Sequence, residues 1–168
     1  RLREEGRQVL IVSSGAVGLG VEALGFTRMP ADLMERQASA AVGQTRLMGL
    51  YEAGFQRLGQ VCGQVLLTRG DFEDRVRYLN LRSTLQTLLR HGVVPVINEN
   101  DAVSTEELAY VDDSRRGAFG DNDGLSALVA AKLVFRLADR YDYSSLCLTV
   151  ASPPATPAWG NKTGWCGW

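Results

Sequence analysis

Apolar residues gather in three short runs, Gln8–Ser13 (QVLIVS), Val61–Thr68 (VCGQVLLT) and Val93–Ile97 (VVPVI). Each has strand length, is rich in β-branched side chains and ends in polar or glycine residues, so each predicts a buried strand. Between them the period changes. Pro30 to about Gly59 carries Leu33, Ala38, Ala41, Val42, Met48, Tyr51 and Phe55 on a three-to-four spacing, interrupted by Gly43 and Gly49, and predicts a long helix. Arg69–Arg75 reads as a charged loop with Asp71 as an N-cap, followed by an amphipathic helix over Tyr78–His91 that Gly92 closes. His91, just before that glycine, is a cation-compatible helix end. Strands alternating with helices predict an α/β fold, a parallel sheet wrapped by right-handed crossovers.

The polar breaks carry the candidate chemistry. The third apolar run stops in Asn98, Glu99, Asn100 and Asp101, as a buried strand does when it empties into the cleft where open α/β sheets bind ligands. A charge-dense segment, Ser104–Arg116, follows as a hairpin or lid. GDNDGLSALVAA then brings Asp121, Asn122 and Asp123 to the start of an alanine-rich helix. An Asp101 carboxylate suits a ligand ammonium, and the amides of Asn98 or Asn122 suit a carboxylate. The alternative for Asn122 and Asp123 is simple helix capping, and for Asn98–Asp101 a solvated turn.

After the first strand comes SSGAVGLG. Gly18, Gly20 and Ala23 have the G-x-G-x-x-A spacing of a dinucleotide site, but the glycines fall too far from the strand and no acidic residue closes a second strand at the required distance. Ser13, Ser14 and Gly15 support a different reading. Small residues let helix N-terminal N–H groups approach an anion, with Ser14 Oγ as a further donor. A plain tight turn is the alternative.

Composition narrows the class. The 168 residues are 45% apolar and 22% charged, with a formal net charge of -1, so the chain as a whole has no field to recruit nucleic acid or an anionic membrane. Three cysteines without C-x-x-C spacing and a single histidine fit a reduced, cytoplasmic setting and no zinc site. The apolar runs are too short to span a bilayer.

The runs VSSGAVGLG, AAVGQTRLMGLYE, QVLLTRGDFEDRVRYLN, TLQTLLRHGVVPVINENDAV and GDNDGLSALVAA together resemble the amino-acid kinase family, in particular its glutamate-phosphorylating branch, over roughly residues 7–133. The resemblance implies a three-layer αβα sandwich with a mainly parallel sheet, incomplete here. It implies ATP-dependent phosphorylation of L-glutamate with Mg2+, the first step of proline biosynthesis. It further implies that Ser14, Asp101 and Asn122 bind glutamate and that Asp123 helps order lysines around the transferred phosphoryl group. Proline as feedback inhibitor and a homo-oligomer are implied for the complete protein. The ATP-binding segments of the family are not matched, so the expectation is that this chain keeps the acceptor half of the site and is inactive alone. Alternatives are a non-catalytic module binding glutamate or proline, and a relative with a different acceptor.

The expected division is a partial kinase domain over 1–133 and an atypical tail over 134–168. That tail, rich in proline, glycine and tryptophan, shows no period and is read as disordered or out of frame.

Overall fold

A computed structural model of the chain describes residues 5, 7–103, 128–129 and 146–151. Its described elements run β1 (Gln8–Ser13), α1 (Ala16–Ala23), α2 (Leu33–Arg57), β2 (Cys62–Leu67), α3 (Gly70–Glu73), α4 (Arg75–Arg90), β3 (Val94–Glu99) and β4 (Leu146–Ala151). The strands form one parallel sheet in the order β2-β3-β1-β4. The expected α/β architecture is thus present.

Strand alternation decides which helix lies on which face. Leu10 and Val12 of β1, Val65 and Leu67 of β2 and Ile97 of β3 join one core cluster with Phe72, Leu81 and Leu85, which brings α3 and α4 to that face. Leu128 and Val129, in helical conformation, pack into the same cluster. The intervening residues point the other way, toward α2: Ser13 bonds Tyr51, and Asn98 bonds Gln44. Helices on both faces of a parallel sheet give three layers.

On the second face α1 and α2 meet almost backbone to backbone. A Cβ on Gly20 would run into the Ser39 carbonyl, and one on Gly43 into the Ala16 carbonyl. Gly18, by contrast, faces open space. The glycines that gave the weak dinucleotide spacing therefore include one that serves helix packing. This contact also shifts the buried stripe of α2 away from the expected one. Ser39, Ala40, Gly43 and Leu47 are buried, while Ala41 and Val42 are exposed, because α1 fits closely only against small residues. Leu50, on the same helix, stands 57% exposed.

Three boundaries differ from expectation for local reasons. Asp71 does not cap α4. It accepts from Thr68 N (2.7 Å) and Thr68 Oγ1 (2.9 Å), closing the turn after β2. Asp74, in extended conformation, caps α4 by accepting from Arg77 N at 2.8 Å. β3 continues through Asn98 and Glu99, which pair with Leu66 and Leu67 of β2. A buried asparagine is tolerated there because Gln44 accepts from its amide. Finally, Leu146–Ala151, within the expected tail, forms a strand in register with the whole of β1, from Gln8↔Leu146 to Ser13↔Ala151. The rest of residues 134–168 lies outside the described residues, as does the expected hairpin or lid over Ser104–Arg116.

Candidate functional site

Parallel strands all end at the same edge of a sheet, and here that edge collects the polar residues. β1 and β3 are adjacent, with Ile11↔Val96 and Val12↔Ile97 in register, so Ser13 and Ser14 leave β1 level with Asn98 and Glu99 on β3. β2 ends beside them at Leu67↔Glu99, and Asn100 N donates to Leu67 O at 2.8 Å to bend the chain out of the sheet. Asn100 and Asp101 are thereby delivered just past the strand ends, where Asp101 is half-buried.

A cleft of about 290 Å³ opens at this edge, between α2 and the ends of β2 and β3. Its walls include Ala40 and Gln44 of α2, Gln64 of β2, and Glu99, Asn100 and Asp101. Small side chains on α2 make the room and amides and carboxylates line it. That combination suits a small, charged, hydrogen-bonding ligand better than an apolar one.

The second component is the turn from β1 into α1. Gly15 is the N-cap of α1 with φ 98°, a left-handed conformation that favours glycine. Having no side chain, it leaves the first-turn N–H groups without a cap from the N-cap residue, the arrangement in which a helix start receives an anion. Ser13 and Ser14 are both buried. Below the turn, Ser13 Oγ and Tyr51 OH share a hydrogen bond of 2.8 Å, tying the turn to α2.

Burial pushes the Tyr51 phenol above its ordinary pKa of 10.0, and the bond to Ser13 works in the other direction. The native phenol then holds its proton where an unfolded tyrosine has lost it. Its stabilising contribution is complete below about pH 10 and is lost as pH rises through the higher native value. Tyr51→Phe is expected to flatten the fall in stability between pH 9 and 11, as read by urea unfolding at each pH; an unchanged slope would assign that fall to other groups.

Of the four residues singled out by sequence, the structure brings Ser14 and Asp101 to the same sheet edge, with Asp101 lining the cleft. Asn122 and Asp123 lie outside the described residues. The reading by sequence missed Gln44. A glutamine between Gly43 and the polar Thr45 and Arg46 looks like helix surface, and only its bond to Asn98, 54 positions away, shows it at the sheet edge.

Among the described residues no cluster of three histidine, cysteine, aspartate or glutamate side chains is placed to hold a metal ion. No helix among them is long and apolar enough to cross a membrane. Cys62 is a free thiol whose pKa is raised, first by burial and then by the nearby Glu52 charge, which makes it a poor nucleophile near neutrality.

Fold and site together define a three-layer α/β protein with a small polar cleft at the carboxyl edge of a parallel sheet. Residues 1–136 match the model of the amino acid kinase family, and the chain belongs to that family. It is 55% identical over 130 residues to a protein named Glutamate 5-kinase from Gloeobacter violaceus, covering 77% of this chain and 33% of that protein. To proteins of the same name from Nitrosococcus oceani and Methanosarcina mazei it is 52% identical over 144 residues and 49% identical over 132. These cover 83% and 79% of this chain, and 36% and 32% of theirs. The chain thus spans about a third of the length of the curated relatives it matches.

Proposed function

We propose that the complete protein transfers the γ-phosphoryl group of ATP to the side-chain carboxylate of L-glutamate, giving γ-glutamyl phosphate at the start of proline biosynthesis in the cytoplasm. The observation that carries this reading is Asp101 lining a small polar cleft at the sheet edge that also carries the Ser14–Gly15 turn, in a chain about half identical to proteins named Glutamate 5-kinase.

The chemistry asks for alignment more than for activation. A glutamate side-chain carboxylate is ionised at neutral pH and is already a competent nucleophile, so no general base is required. Asp101 takes the ammonium. The buried Ser14 and the N–H groups at the start of α1 meet negative charge, and Asn122 adds an amide contact to the substrate. Asp123 orders lysines around the phosphoryl group. When bound, ATP with Mg2+ would supply the phosphoryl group and disperse its charge. Holding the acceptor at the sheet edge converts the encounter into an oriented one, which is the largest contribution this half of the site makes. Proline is taken to compete at the same cleft, and the complete protein to assemble as a homo-oligomer.

Hydroxylamine traps an acyl phosphate as its hydroxamate. The full-length gene product is expected to form hydroxamate only when both ATP and L-glutamate are present, and far less with L-aspartate. Hydroxamate formation that ignores glutamate, or that favours aspartate, would remove the reading.

A further inference from the structure

One polar group at the cleft is left over by the fold. Gln44 reaches from α2 to the sheet edge, where its Oε1 accepts from Asn98 Nδ2 at 2.7 Å. Asn98 is 2% exposed, so this bond fixes both amides in place. The other end of the same carboxamide, Gln44 Nε2, is shielded from solvent and has no hydrogen-bond partner. Gln44 itself lines the cleft that Asp101 lines. A buried donor that the fold does not satisfy is costly to keep, and its position at a ligand cleft gives it a use.

We propose that Gln44 is a ligand-binding residue whose Nε2 donates to a carboxylate oxygen of the acceptor amino acid, while its Oε1 holds Asn98. This inference rests on the acceptor-site reading above and extends it to a residue on α2. The ligand must carry a hydrogen-bond acceptor next to its cationic end. An amino acid does, with Asp101 facing its ammonium and Gln44 facing an oxygen. The two sit on different elements, so closing both contacts clamps the ligand between α2 and the segment after β3. The bond to Asn98 sets the amide plane, and because Nε2 is shielded from solvent in the free chain, binding first has to uncover it.

Gln44→Glu isolates the donor. It keeps the shape and the acceptor for Asn98 but replaces Nε2 with an oxygen that repels a carboxylate. In calorimetric titration of L-glutamate into the full-length gene product, Q44E is expected to weaken binding about 100-fold and Gln44→Met about 10-fold, each retaining a cooperative thermal transition. Should Q44E not fold, Q44M carries the expectation. Asp101→Asn serves as the reference. Loss of binding in D101N with Q44E or Q44M within twofold of the parent would overturn the role of Gln44 alone, as when a water satisfies Nε2. No glutamate binding by the parent chain, or binding that D101N leaves intact, would overturn the acceptor-site reading and the Gln44 inference with it.

Discussion

Gly43→Ala is expected to lower the unfolding free energy by about 3 kcal/mol or more, although alanine ordinarily stabilises a helix over glycine by about 1 kcal/mol. The sign is decided by what the new methyl meets. At Gly43 a Cβ would run into the Ala16 carbonyl and lie close to Gly20 N, and at Gly20 it would run into Ser39 O. Both obstacles are backbone, which cannot rotate away as a side chain can, so α1 must lift off α2. The same substitution at Gly18, Gly49 or Gly54 meets nothing within 4 Å. There the helix preference acts alone, and a gain of roughly 0.5–1 kcal/mol is expected. Urea unfolding of the five single variants reads the contrast directly. Equal effects at all five positions would show that the α1–α2 approach is looser than described. The loss should also reach the site, because α1 begins at the Ser14–Gly15 turn and α2 carries Gln44. Gly43→Ala is therefore expected to weaken ligand binding even under conditions where the chain stays folded.

Much of this architecture was legible in the sequence, because strands buried on both faces and helices with one apolar face leave different periods. The β1, β2 and β3 runs, the long α2 helix and the closing Gly92, with φ 72°, follow from such patterns. What escaped was decided by contacts between distant segments. The buried stripe of α2 is made of Ser39, Ala40 and Gly43 because α1 packs there, and neither helix alone announces the crossing. Asn98 reads as the end of a strand until Gln44, 54 positions earlier, is seen to satisfy its amide. Asp71 and Asp74 are equally good caps by composition, and only the Thr68 turn claims the first. β4 escaped for another reason. LCLTVA is a plausible strand by itself, but its setting among prolines, serines and glycines hid it, and its pairing with β1 supplies what the local pattern lacks. At the site, sequence found the acidic and amide residues at the strand end, and geometry added the cleft that joins Asp101 to α2.

Asp101→Ala in the full-length gene product is expected to raise KM for L-glutamate by about 100-fold or more, with KM for ATP changed by less than about threefold. The asymmetry follows from position. Asp101 lines the cleft assigned to the acceptor, and a carboxylate facing an ammonium in a half-buried setting gives a charge-assisted contact that alanine cannot replace. Asp101→Asn separates charge from shape: an amide oxygen still accepts a hydrogen bond, so a partial recovery of about tenfold relative to alanine is expected. The hydroxamate assay run at varied glutamate and fixed ATP gives both constants. Proline provides an internal check. Its secondary ammonium offers the same positive group, so the inhibition proposed for it is expected to weaken in step with glutamate binding across the two variants. A change in kcat with KM for glutamate untouched would place Asp101 away from the ammonium and with the reacting phosphoryl group. Loss of glutamate binding with inhibition by proline preserved would mean that inhibitor and substrate use different residues.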